Sequence, residues 1–145
     1  MAILNKGAAE AMIAIGVSAA TDITGYGLVG HVLEMANGSG TGISLSRSAV
    51  PILPGAEALL KRGIVPGGTH RNLAGTTGKV DWAAGLSSDD QLMMCDAQTS
   101  GGLLISVAPD RCDDLVAALN DADTPCAAVI GEVTADSPGR INMNA

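Results

Sequence analysis

A chain of 145 residues with no Phe, one Trp and one Tyr must build its interior without rings. Yet 47% of its residues are hydrophobic, so a core is available, made of Leu, Val, Ile, Ala and Met. Side chains of that size let backbones come close, and 19 glycines point the same way, toward tight packing and several sharp turns. The length suits one domain. The net charge is −7 and the sequence pI about 4.5. With only 8 Lys and Arg, the surface argues against nucleic acid or an anionic membrane as a partner, and the acidity itself reads as solubility.

Cys95, Cys112 and Cys126 form an odd set without CxxC spacing. A structural zinc site needs closer pairs, so the expectation is small buried thiols in a reducing compartment. No apolar run reaches ~18 residues, the length of a membrane span. Lys6 is not followed by the apolar stretch of a signal peptide. The chain therefore reads as cytoplasmic.

Helices and strands alternate along the sequence. Ala8 to Ile15 is Ala-rich and helical, ending near Gly16. Val17 to Ile23 is an apolar run carrying a carboxylate near its end, and Thr24 to Tyr26 is a turn. From Gly27 to Ala36 the apolar residues Leu28, Val29, Val32, Leu33 and Ala36 share an arc of about 140° on a helix, with His31 and Glu34 outside it. Asn37-Gly38 is the expected stop. Gly42 to Leu45 is a strand, Ala56 to Lys61 a short helix, and Pro66-Gly67-Gly68 a turn, with Thr69 or Asn72 capping one more helical turn. Gly78 to Trp82 is an edge strand, Asp89 to Cys95 a helix and Leu103 to Val107 a strand. Pro109 opens a helix whose inner face is Cys112, Leu115, Val116 and Leu119. Ala127 to Val133 is a last strand, paired with Arg140 to Met143. The class is α/β or α+β with one mixed sheet flanked by helices.

Three polar, glycine-bearing segments can carry chemistry. In Asp22-Ile23-Thr24-Gly25-Tyr26-Gly27-Leu28 an acid sits at the end of an apolar run, before a helix. A carboxylate there can bind Mg²⁺ together with phosphate oxygens, and a helix start tolerates phosphate charge. Equally, Asp22 or Thr24 can simply cap the helix. In Gly67-Gly68-Thr69-His70-Arg71-Asn72 two glycines allow close backbone approach, Arg71 can pair with phosphate and Asn72 can donate or accept; a solvated turn with a cap explains the same residues. Asp96-Ala97-Gln98-Thr99-Ser100-Gly101-Gly102 leads into a strand, as an anion-binding nest does, or as a turn needing glycine dihedrals does.

Taken in order and spacing, these segments are more specific. ATDITGYGLVGH from Ala20, GGTHRN from Gly67 and CDAQTSGGLL from Cys95 resemble the C-terminal domain of the selenophosphate synthetase (selenide, water dikinase) family. They resemble more loosely its relatives, aminoimidazole ribonucleotide synthetase and the hydrogenase-maturation and thiamine-phosphate kinases. The likeness runs from Leu4-Asn5-Lys6 to Ile130-Gly131-Glu132-Val133, with Ala97 standing where many members have Pro, a change expected to loosen that loop.

The resemblance implies a three-layer α/β domain, partly ferredoxin-like, spanning residues 1–145 of a two-domain enzyme whose N-terminal catalytic domain lies outside this sequence. That domain carries the Cys or selenocysteine nucleophile, a nearby Lys and most of the metal-binding aspartates. Family members convert selenide, ATP and water to selenophosphate, AMP and phosphate, and the parent is expected to be a homodimer. Here Asp22 matches the metal-binding aspartate of this domain, with no catalytic residue of its own. Thr24, Gly25, Gly27, Asn72, Gln98, Thr99 and Ser100 are the expected lining for Mg²⁺ and ATP, shared with the N-terminal domain. Two other readings are a stand-alone, non-catalytic binding module and the equivalent domain of a related ATP-dependent enzyme. If the runs ending at Asp22 and starting at Leu103 are antiparallel, Asp22, His70 or Asn72, and Gln98 to Ser100 should share one partly exposed face. That face should be an open cleft wall, with apolar surface uncovered near Tyr26 and Leu28.

Overall fold

The computed structural model describes residues 4–145. Its helices are α1 (Lys6–Ile15), α2 (Gly27–Ser39), α3 (Ala56–Lys61), α4 (Gly67–Ala74), α5 (Ser88–Met94) and α6 (Cys112–Asp121). Its strands are β1 (Ala19–Asp22), β2 (Gly42–Ser46), β3 (Val80–Trp82), β4 (Leu103–Ser106), β5 (Gly131–Thr134) and β6 (Ile141–Asn144). The α/β class is as expected, but the strands divide into two sheets. β1 and β4 form an antiparallel pair, and the mixed sheet has the order β3-β6-β2-β5.

The mixed sheet corrects the expected final hairpin. β5 pairs antiparallel with β2, while β6 runs parallel to both β2 and β3. The chain leaves β5 on one side of β2 and returns on the other, so β2 separates two strands that are neighbours in sequence. The register explains the choice. Ile43 and Val80 both stand opposite Ile141, and Leu45 and Trp82 both stand opposite Met143. Ile141 and Met143 are almost wholly buried in the middle of two apolar rows. A β5–β6 hairpin would leave those rows at an edge.

α2 covers this core. Leu28, Val29, Val32, Leu33 and Ala36 are all buried, as their arc predicts, and Met94 from α5 and Cys95 at its C-terminal cap join the same core. Each fully buried Val, Leu or Met among them contributes about 1.5–3 kcal/mol. The helix does not stop at Asn37-Gly38. Asn37 donates from Nδ2 to the Leu33 carbonyl at 2.8 Å, and the turn continues to Gly40, which is left-handed at φ 65°.

α4 also differs from expectation, because Thr69 lies inside a helix that already begins at Gly67. Pro66 is extended, at φ −58° and ψ 139°, and so ends the preceding loop instead of starting a turn. α5 opens with a capping box: the Ser87 side chain accepts from Asp90 N, and Asp90 Oδ2 accepts from Ser87 N. The Ser87 side chain and backbone, and then Arg47, hold the Asp90 carboxyl below its ordinary value. Arg47 also reaches Glu57 at 3.1 Å, tying the ends of β2, α3 and α5 together. No helix among the described residues is long and apolar enough to cross a membrane.

All three cysteines are free, but only Cys95 is buried. Cys112 is half-buried. Cys126 is exposed, because the strand expected from Ala127 begins only at Gly131 and no sheet covers the segment before it. Burial pushes the Cys95 thiol up to about 12. Thiolate is the reactive form, so a thiol reagent applied to the native protein near neutral pH should modify Cys126 at free-cysteine rate and leave Cys95 untouched. Peptide mass spectrometry distinguishes the two, and equal labelling rates would contradict this packing.

Candidate functional site

The site is assembled where β1 ends. Asp22 stands opposite Leu103 in the antiparallel β1–β4 pair. Beyond it the third segment closes over the first through backbone hydrogen bonds. Ile23 N donates to Gly102 O at 2.9 Å, Gly101 N to Ile23 O at 3.0 Å, and Gln98 N to Thr24 O at 3.1 Å. Gly101 permits this approach, since a Cβ there would lie 2.5 Å from Ile23 O.

The second segment locks onto both. Asn72 Nδ2 donates to Gly25 O at 2.9 Å and to Cys95 O at 3.1 Å, joining positions far apart in sequence. Thr69, almost completely buried, donates from its hydroxyl to Asp96 Oδ1 and accepts from Ala97 N, both at 3.0 Å. A proline at 97 lacks that N–H, so Ala97 ties the loop down where it was expected to loosen it. Asn5 adds a further tie, donating to Gly101 O at 3.2 Å.

Asp22 and the 98–102 loop therefore lie side by side, with Asn72 beside them. His70 does not join them. Thr69 and Asn72 are three residues apart on one helical face, and His70 turns away from it into solvent. Nor is the α2 start capped by a side chain. Tyr26 is its N-cap and makes no side-chain cap bond, so neither Asp22 nor Thr24 caps it. The Asp22 side chain is exposed and forms no hydrogen bond or ion pair among the described residues. Gly25, Thr99 and Ser100 are exposed too, and Gln98 is half-buried. Gly27, the Thr24 hydroxyl and the Asn72 amide nitrogen face inward and hold the site together. Tyr26 is 61% exposed, whereas Leu28 is buried, against expectation, because α2 turns it into the core.

His31 closes the ATDITGYGLVGH segment, but it falls outside the apolar arc of α2 and the sequence assigns it no role. It is nevertheless buried, and its Nε2 lies 3.1 Å from Thr24 N and 3.2 Å from Thr24 Oγ1, while Nδ1 lies 3.0 Å from Glu34 Oε2. The available signal was spacing: a His one helical turn before a Glu, on the helix that follows the Asp22 turn.

The donor set suits Mg²⁺ as a partial site. Among the described residues no group of three or more His, Cys, Asp or Glu is placed to hold a metal. Mg²⁺ is commonly held by one or two carboxylates plus phosphate oxygens and water, and Asp22 fits the role of one such carboxylate. A groove of about 250 Å³, lined by Leu59, Leu60, Ile64, Pro66 and Met93, meets the rear of the site at Thr69 and Asp96. Asp22 and Gln98 to Ser100 lie outside it, on open surface.

Residues 2–144 match the family model described as AIR synthase related protein, C-terminal domain. The chain is 42% identical over 140 residues to a selenide, water dikinase of Nitratidesulfovibrio vulgaris, covering 97% of this chain and 40% of that protein. It is 42% identical over 134 residues to one of Caldanaerobacter subterraneus, covering 92% and 38%. The chain thus spans about 40% of the length of these curated relatives. Among solved structures, E. coli HypE, a hydrogenase maturation protein, aligns with a TM-score of 0.67 at 23% identity, over 97% of this chain and 35% of that one. That likeness is one of fold.

Proposed function

We infer the function from the fact that this chain belongs to the family of AIR synthase related protein C-terminal domains. Within that family its sequence is similar to selenide, water dikinases. Our reading is that the chain is the C-terminal domain of such an enzyme, which makes selenophosphate from selenide, ATP and water and releases AMP and phosphate. It supplies one wall of a Mg-ATP site, completed by an N-terminal domain of the same protein in the cytoplasm.

One observation carries the reading. Three segments more than 20 residues apart are hydrogen-bonded into one surface around the free carboxylate of Asp22. A purely structural turn has no need of an exposed acid beside two exposed hydroxyls. Mg²⁺, when bound, would neutralise phosphate charge and orient the phosphates. Asp22 would hold the metal. The exposed Thr99 and Ser100 hydroxyls and the open backbone at Gly25 would face the nucleotide. Thr24, Gly27, Asn72 and Gln98 would keep that surface in shape.

The deciding assay is AMP release by the complete protein with Mg-ATP, with and without selenide. Selenide-dependent AMP formation is expected. ATP cleavage indifferent to selenide would assign the domain to another ATP-dependent relative.

A further inference from the structure

We propose that His31 is a positioning residue, a neutral imidazole protonated at Nδ1 that holds the Asp22–Gly27 turn through Thr24. The backbone fixes the tautomer. Thr24 N–H can only donate, so the Nε2 it meets at 3.1 Å must accept. The proton then sits on Nδ1, where Glu34 Oε2 accepts it at 3.0 Å. A carboxylate behind one ring nitrogen and a backbone N–H before the other is the arrangement by which a histidine is oriented.

Thr24 is the keystone of the turn. Its carbonyl accepts from Gly27 N at 3.0 Å and from Gln98 N at 3.1 Å, and the neighbouring Gly25 carbonyl accepts from Asn72. Asp22 lies two residues away on the same backbone. The Tyr26 ring packs edge-on against the imidazole at 5.7 Å between centroids, closing it from outside. His31 thus reaches the first and third segments through Thr24, and the second through the adjoining Gly25, without itself facing the open surface. That the turn serves a metal and phosphate rests on the function proposed above; the turn's dependence on His31 does not.

The test uses the imidazole nitrogens and the backbone amides of this chain. Long-range ¹H–¹⁵N spectra should show Nδ1 protonated and Nε2 bare. His31→Leu should speed amide exchange at Thr24, Gly27 and Gln98 by roughly tenfold, the loss of about one hydrogen bond, and leave Ile43 and Ile141 unchanged. His31→Gln, which returns an acceptor, should restore most of the protection. In the complete protein, His31→Leu should raise KM for Mg-ATP, and His31→Gln should rescue it.

A native Nε2-protonated ring would overturn the proposal, and that spectrum needs no variant to fold. So would exchange that rises uniformly across the core, or not at all, in His31→Leu. A complete protein without selenide-dependent AMP formation would remove the proposed function and leave the exchange result standing.

Discussion

Asp22→Asn in the complete protein is expected to lower AMP formation by roughly 10²–10³-fold, the scale seen when one preorganised electrostatic contact is removed from an active site. Its melting temperature should stay within about 2 °C, because an exposed substitution away from caps and networks changes stability by about 0.5 kcal/mol or less. The contrast follows from where the carboxylate sits. It is exposed, it has no hydrogen-bond or ion-pair partner among the described residues, and the helix after it is capped at Tyr26 without side-chain help. Asn keeps the size and the strand geometry and removes only the charge. Melting curves and AMP release on the same preparation decide the matter. A fall in melting temperature that tracks the loss of activity would return Asp22 to a structural role, and unchanged activity would remove it from the metal.

Much of this arrangement was legible from local rules. The arc of α2 gave its buried face, and the bounds of α3 follow from its short apolar pattern. The three polar segments were recognisable as a set, and antiparallel pairing of the runs beside Asp22 and Leu103 was enough to bring two of them together. What stayed hidden was decided by tertiary contact. After β5 the chain crosses β2, and β6 lies between β2 and β3, away from its sequence neighbour, as the pairing of Ile141 and Met143 with both partners explains. Gly67 and Gly68 are poor helix formers, yet they begin α4, and at Gly68 the lack of a Cβ lets the helix start pack close to Ala97, whose Cβ would lie 3.1 Å from one there. His31 lies on the flank of α2, and nothing in helical periodicity distinguishes a flank under a loop from one facing water. The individual roles within the site were blurred for the same reason. Whether Asn72 faces a ligand or two carbonyls depends on a helix placed by the rest of the fold.

The two glycines of the Asp22 turn should respond oppositely to alanine. Gly27 has φ +70°, and a Cβ there would stand 2.7 Å from both the Cys95 carbonyl carbon and Asp96 O. The left-handed conformation costs an L-residue about 1–2 kcal/mol. Crowding a packed site adds about 1–3 kcal/mol, and the crowded atoms here are backbone that cannot rotate aside. The Cys95 carbonyl is itself held by Asn72, and the Cys95 side chain is buried. Gly27→Ala should therefore destabilise the fold by about 2–5 kcal/mol, a drop of about 4–20 °C in Tm at this chain length. Gly25 has no positive φ, and a Cβ there would meet nothing within 4 Å. Gly25→Ala should leave stability unchanged or raise it by up to about 1 kcal/mol, since it only narrows the unfolded ensemble. If Gly25→Ala then weakens Mg-ATP binding in the complete protein, the open space above Gly25 is where the nucleotide comes close. Equal melting temperatures for the two variants would mean that the contact between Gly27 and the Cys95–Asp96 backbone does not hold the turn in place.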